Sequence, residues 1–410
     1  MVLVALSLAF GAGQGASAFS RSDVENQFRA WLATDLWPEA RKDGISRATF
    51  ERAFSDVRID WSLPDLVPPG TKPAVPKEQS QAEFRSPGAY FAGPTIARLV
   101  SSGAARAAQY SGLLRRIESR TGVPGPILLA IWGRETGFGT VKIPFDAFSV
   151  LGTKAFMSLR KEMFRTELLA ALDIVQRGLI DAGAMKSSSA GALGQPQFMP
   201  SVYLKDAVDF DGDGKRDIWN SVPDTLASIA SYLADHGWER GRRWGYEITL
   251  PASVACNVEG PDQGRTFAEW EKLGIRRADG TPFPAAERDR QGFLLTPAGT
   301  FGPAFLVTPN FYAIKSYNVS DLYSLFIGRV ADGIERGGDK EFSTPWKDPG
   351  ALYRSQIAGL QKALQAQGYD VGGTDGLPGF KTRRSIGEWQ AKHGTRPTCF
   401  PEASLVSRLH

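Results

Sequence analysis

Histidine and cysteine are scarce, with three His and two Cys in 410 residues. That is too few for zinc sites of the Cys/His type. Long apolar runs are missing too: past the first residues, nothing approaches the roughly 20 consecutive apolar positions of a membrane-spanning helix. The chain has no dense Lys/Arg block and no basic helix. Its mild positive balance, 48 basic against 44 acidic residues, therefore leaves no nucleic-acid footprint, although it favours an anionic polymer. There is no repeat of fixed period, and 44 Gly with 26 Pro argue for turns and loops over a coiled coil. What remains is an ordinary soluble composition, 42% hydrophobic and 22% charged, long enough for two or three domains. Cys256 and Cys399 can pair in an oxidising compartment, but their distance in sequence leaves that open.

The amino-terminal stretch is apolar from Val2 to Phe10 apart from Ser7, and then reaches Ala16-Ser17-Ala18. This is an A-x-A cleavage pattern, so residues 1–18 are expected to be an export signal, with a buried N-terminal helix as the competing reading. No Cys follows the apolar core, so no lipid anchor is expected there. The expected destination is the periplasm, as a soluble or loosely envelope-associated protein. Phe28, Trp31, Leu32 and Trp37 then lie near helical spacing, and Ser46 is placed to cap a helix carrying Phe50, Ala53 and Phe54. Pro64 to Pro87 reads as an extended crossing segment. Helical patterning resumes at Ile96 and runs to about Gly333, except between Glu247 and Phe305, where short apolar runs broken by Gly and Pro predict a few strands. The stretch 336–350, rich in Gly and Pro, predicts a linker to a small C-terminal unit.

The chain is organised around Ile127-Leu-Leu-Ala-Ile-Trp-Gly-Arg-Glu-Thr-Gly-Phe-Gly139. Pro124 and Pro126 open a helix here, and Gly137 and Gly139 close it. Leu128, Ile131, Trp132 and Glu135 fall at i, i+3, i+4 and i+7, so the carboxylate ends an apolar stripe. Poor hydration there disfavours its charged form and prepares it as a general acid at neutral pH. A structural Glu at a fraying helix end is the alternative. The nearest other acid, Asp146, follows a loop. A second segment reads Ser188-Ser189-Ala190-Gly191-Ala192-Leu193-Gly194-Gln195-Pro196-Gln197-Phe198-Met199-Pro200-Ser201. Its small residues suit either close approach of a ligand, with Gln197 offering donor and acceptor to sugar hydroxyls, or a tight packing turn.

Asp209, Asp211, Asp213 and Asp217 with Gly214 fit calcium-loop positions 1, 3, 5, 9 and 6, and Lys215 offers its backbone carbonyl at position 7. Position 12 is Asn220, so Asp224 is the candidate for the missing carboxylate. A structural calcium ion is expected in preference to a solvated acidic turn with four crowded charges.

These motifs, in this order and followed by Pro309-Asn310-Phe311 and Tyr317-Asn318, resemble the membrane-bound lytic murein transglycosylase B family over about Phe19 to Arg336. The resemblance implies a mainly α, lysozyme-like catalytic domain with additional helical lobes, spanning 19–335 and carrying the calcium-loop-like insert at 209–224. It implies that Glu135 is the catalytic acid/base and that Ser188, Gln197, Met199, Tyr232, Tyr317, Asn318 and Tyr323 line a glycan groove. Arg160 falls where the family places a basic pair, here beside Lys161. The C-terminal 351–410 is similar to a three-helix peptidoglycan-binding domain: Tyr353, Ile357, Leu360 and Leu364 share a helical face, and Asp375-Gly-Leu-Pro-Gly-Phe-Lys-Thr-Arg383 is its most specific turn.

The implied chemistry is cleavage of the bond between N-acetylmuramic acid and N-acetylglucosamine with 1,6-anhydro ring closure. The implied partners are peptidoglycan glycan strands and stem peptides, with cell-wall synthesis machinery as a further possibility and no nucleic acid. A monomer with no organic cofactor is expected. A muramidase that hydrolyses the same bond is the competing enzyme, and a non-catalytic wall-binding protein is the reading from another class.

Overall fold

The computed structural model describes residues 20–72, 87–91, 93–350 and 352–409; the expected export signal at 1–18 lies outside them. The chain divides into two compact units. Of the described residues, the first comprises 20–72, 145–185 and 189–191. Its helices are Arg21–Trp31, Trp37–Lys42, Arg47–Phe54, Ala147–Met157 and Lys161–Gln176, with a π-turn at Leu32–Leu36. Ser20 and Ser46 cap two of these helices, each accepting from the backbone N–H three residues on, as small hydroxyl residues do at helix starts. Of the aromatic residues at helical spacing, the phenylalanines form the core, while Trp31 and Trp37 are half-buried. Phe28, Phe50 and Phe54 are buried, and Phe28 meets Phe156 while Phe54 meets Phe148, both edge to face.

Of the described residues, the second unit holds 87–91, 93–144, 186–188, 192–350 and 352–409. Helices Gly93–Gln109, Ser111–Thr121, Gly125–Thr136, Val222–Asp235, Pro309–Asn318 and Asp321–Arg336 form its helical part. The strands expected between 247 and 305 are present as an antiparallel five-stranded sheet. Its order is Arg265–Thr266, Gln291–Leu295, Ala304–Val307, Gly245–Thr249, Arg276–Arg277. In the central pair Tyr246 lies opposite Leu306, and both join Trp270, Phe267 and Leu294 in a closed core.

Helices Arg354–Ala366, Phe380–Lys392 and Ala403–Leu409 bury Leu360, Leu364, Ile386, Trp389 and Leu405 together. Gln361, fully buried, organises the turn between the first two: its Oε1 accepts from Gly376 N, and its Nε2 donates to Leu377 O and Thr382 Oγ1. The connecting stretch is held down along its length. Trp346 stacks on Phe91 at 5.0 Å, and Lys347 N donates to Phe301 O. The C-terminal helices belong to the same compact unit as the Gly125–Thr136 helix. A disulfide joins Cys256 to Cys399.

Candidate active site

The Gly125–Thr136 helix is buried on more than the stripe that spacing indicated. Leu128, Leu129, Ala130 and Ile131 are all fully buried, and only the last turn comes to the surface, with Arg134 exposed and Glu135 half-buried. The helix stops because Gly137, Phe138 and Gly139 are all left-handed, with φ of 57°, 62° and 76°. Gly137 N returns to Gly133 O and Phe138 N to Trp132 O, which closes the free carbonyls of the last turn. Phe138 is held edge-on by Trp132 and from above by the Arg106 guanidinium. Gly139 has no room for a side chain, since a Cβ there would lie 2.3 Å from Gln195 Oε1.

Gln195, which its spacing does not single out, organises this end of the helix. It is buried and its polar groups are all engaged. Oε1 accepts from Trp132 Nε1 at 2.8 Å, and Nε2 donates to Trp219 O at 2.8 Å. Its backbone O accepts from Thr136 Oγ1 at 3.0 Å, and its N donates to Ile218 O. One side chain thus locks the end of the Glu135 helix to two loops. Gln197 lies beyond it, half-buried and left-handed at φ 57°, with Nε2 donating to Gly194 O.

Three tyrosines connect to the carboxylate. The Tyr323 hydroxyl donates to Glu135 Oε1 at 2.6 Å. Tyr317 stacks parallel to Tyr323 and donates to Pro196 O at 2.6 Å. Tyr232 meets Tyr317 edge to face at 5.0 Å and donates to Ser316 O. Tyr323 is buried in the first turn of the Asp321–Arg336 helix, where Ser320 Oγ accepts its N–H. Burial raises the Glu135 carboxyl above its ordinary range, against the Tyr323 hydrogen bond and the Arg134 charge, which both lower it. Burial and then Glu135 push both the Tyr317 and Tyr323 phenols far up, so both remain O–H donors. A carboxyl with poor hydration and a single fixed donor is suited to give up a proton and receive one back.

Of the other expected site residues, Ser188, Met199 and Asn318 fall in the same unit as Glu135. Ser188 pairs with Ala192, its N donating to Ala192 O and its Oγ accepting from Ala192 N, in the loop that bridges on through Leu193 to Phe198. Met199 is half-buried and precedes the Pro200–Asp206 helix. Asn318 is exposed at the end of the Pro309–Asn318 helix. Arg160 belongs to the first unit, where its guanidinium lies over Phe164. Asp146 also falls there and caps its own helix, accepting from Ser149 N at 2.8 Å.

The acidic loop brings together part of its expected set. Carboxylate oxygens of Asp209, Asp211 and Asp213 lie within 4.8 Å of one another, on exposed residues. Asp217 stands outside that group, with its oxygens accepting from Trp219 N, Asn220 N and Asn220 Nδ2. Asp224 is fully buried and accepts from Phe210 N, Asp211 N and Asp217 N. It shapes the loop from beneath. Both carboxylates thus satisfy backbone N–H groups of the loop.

Residues 27–332 match the family described as the transglycosylase SLT domain. Over 229 residues the chain is 32% identical to membrane-bound lytic murein transglycosylase B of Escherichia coli K12, covering 55% of this chain and 61% of that protein; the match thus spans less than two thirds of that curated relative. SltB3 from Pseudomonas aeruginosa, solved in complex with NAG-anhNAM-pentapeptide, superposes with a TM-score of 0.82 at 36% identity, covering 93% of this chain and 99% of that one. The same protein in complex with NAG-NAM-pentapeptide gives 0.82 at 37% identity, with the same coverage. The Escherichia coli lytic transglycosylase Slt35 in complex with calcium gives 0.57 at 25% identity, covering 77% and 93%.

Proposed function

This chain belongs to the transglycosylase SLT domain family, and we propose that it is a lytic murein transglycosylase. It cleaves the bond between N-acetylmuramic acid and N-acetylglucosamine in peptidoglycan and leaves 1,6-anhydro ends, in wall turnover or remodelling. The observation that carries the reading is the Glu135 carboxyl at the end of a buried helix, held by the Tyr323 hydroxyl at 2.6 Å. Glu135 starts protonated and gives its proton to the glycosidic oxygen as the bond from C1 to that oxygen breaks. The acetamido group of the muramic sugar stabilises the cationic C1. Glu135, now a carboxylate, takes the proton of the C6 hydroxyl while O6 bonds to C1. The proton count closes on Glu135 and no water is consumed. A second carboxylate, as ordinary glycoside hydrolysis uses, has no part in this sequence.

Tyr232, Tyr317, Tyr323, Gln197, Ser188, Met199 and Asn318 are the proposed glycan contacts, and Arg160 a further one. The complexes of the similar SltB3 with NAG-anhNAM-pentapeptide and NAG-NAM-pentapeptide support peptidoglycan strands with their stem peptides as substrate. The test is digestion of purified sacculi followed by mass analysis. Anhydromuropeptides are expected; products heavier by one water would make the enzyme a hydrolase and overturn the proposal.

The acidic loop fits a calcium ion. Its donors are all oxygens, the type a hard cation takes, and three carboxylates already converge. Asp209, Asp211 and Asp213 would hold the ion with the Lys215 carbonyl, and the ion would supply charge neutralisation that fixes the loop. The calcium complex of Slt35 supports this role. We place the protein in the periplasm. Among the described residues no helix is long and apolar enough to cross a membrane, and the Cys256–Cys399 disulfide suits an oxidising compartment. The C-terminal helices are proposed to bind peptidoglycan.

A further inference from the structure

The anchorage of the C-terminal helices leads back to Glu135. Arg383, in the first turn of the Phe380–Lys392 helix, is 2% exposed. Its Nε and Nη2 grip the two carboxylate oxygens of Glu259 at 2.7 and 3.1 Å. Glu259 is fully buried and also accepts from Thr296 N. Nη2 reaches on to Asp321 Oδ2 at 2.9 Å, while the other oxygen of Asp321 takes Lys315 Nζ at 2.6 Å. Asp321 is the first residue of the Asp321–Arg336 helix. Two residues later, the same turn presents the Tyr323 hydroxyl to Glu135.

This turn is held locally by the Ser320 cap and the Lys315 ammonium, and from outside by Arg383. It is entered through Val319, a β-branched residue at φ 33° and 84% exposed, so the lead-in is strained and unsupported by packing. The forked Arg383–Glu259 contact is a fixed base, because a guanidinium meeting two carboxylate oxygens has little freedom. We propose that Arg383 is a positioning residue for the catalytic acid: by holding Asp321 it fixes the first helical turn and so sets the Tyr323 hydroxyl against Glu135. The C-terminal unit then serves catalysis as well as wall attachment. This rests on Glu135 being the acid. The charged and titratable groups around that carboxyl are Arg134 on its own helix, with Tyr90 on the Arg134 guanidinium, Tyr323 from the Asp321–Arg336 helix and Tyr317 from the Pro309–Asn318 helix. Of these, only Tyr323 is on the helix whose first residue Arg383 grips.

The test uses the full, disulfide-intact protein on soluble glycan strands, with kcat and KM measured across pH for Arg383→Gln, Asp321→Asn and Tyr323→Phe. Loss of alignment should lower kcat about tenfold with KM changed less than about twofold. The alkaline limb of the kcat profile should move up in Arg383→Gln and Asp321→Asn in the same direction as in Tyr323→Phe, because each weakens the donor that favours the Glu135 carboxylate. Arg383→Gln added to Tyr323→Phe should cost nothing further in kcat. An unmoved limb, or a double variant as poor as the product of the two singles, would overturn the proposal; a purely structural Arg383 would lower the melting temperature and leave the limb in place. Should Arg383→Gln fail to fold, Asp321→Asn reads the same link while leaving the Arg383–Glu259 contact and the disulfide intact. Glu135→Gln separates the two readings. If it stays active, the assignment of the acid fails; if it is inactive while Asp321→Asn behaves as wild type, only the role of Arg383 fails.

Discussion

Replacing Tyr323 with Phe removes one oxygen from a buried ring and leaves the rest of the aromatic packing in place. That oxygen is the donor 2.6 Å from Glu135 Oε1, and it bonds most strongly when the carboxyl is ionised. A hydrogen bond to a charged group is worth about 1.5–3 kcal/mol. Losing it should therefore raise the proton affinity of Glu135 by roughly tenfold or more. The sign follows from the burial that already raises this carboxyl: such a group stabilises the fold fully below its unfolded value, and that stability is lost as pH rises through its folded value. The variant titrates still higher, so its deficit in melting temperature should widen from acid to neutral pH. The alkaline limb of kcat should move upward over the same range. Thermal melts and initial rates on soluble glycan, both taken from pH 4 to 9, measure the two effects on one preparation. A limb that stays in place while kcat falls would mean that Tyr323 acts only by filling space.

Glu135→Gln should lower turnover by about two to four orders of magnitude while raising the melting temperature at neutral pH, since a buried ionisable group is gone; equal melting of variant and wild type at neutral pH would contradict the burial argument. Removing residues after Gly350 takes Arg383 from Glu259 and Cys399 from Cys256, so one ion pair and the disulfide are lost together. The truncated chain should melt at clearly lower denaturant, and unchanged unfolding would refute the importance of those two links. Calcium at a hundredfold excess over its dissociation constant should stabilise the fold by about 2.7 kcal/mol, and Asp213→Ala should abolish the shift; identical melting with chelator and with saturating calcium would leave the loop an acidic turn.

The parts of this architecture legible in sequence were those set by neighbours along the chain. Pro126 and Gly137 marked the Glu135 helix, Ser46 marked a cap, and Ile357, Leu360 and Leu364 marked the inner face of a small helical unit. Contacts across long separations were not legible. Nothing in the spacing of Tyr323 indicates that it meets a carboxylate 188 residues earlier. That the loop turns Gln195 inward depends on room at Gly139, which lies outside the segment. Asp224 is legible as part of the acidic loop, but the backbone N–H groups it satisfies are not, because loop spacing counts carboxylates and does not count donors. The stretch at 336–350 has linker composition, yet Trp346 has an aromatic face to stack on, and composition carries no record of its partner.

The Cys256–Cys399 bond closes a loop of 143 residues that contains the whole connection to the C-terminal helices. That connection is exposed at Lys340, Glu341, Ser343 and Lys347, where trypsin-like proteases find basic sites to cut. A nick there yields two polypeptides that remain one molecule. The fragments should migrate together on a gel without reductant and separate once the disulfide is reduced. Clipping between the two cysteines therefore does not discard Arg383: the severed piece stays covalently tied beside Glu259, and a nicked enzyme keeps its full complement of parts.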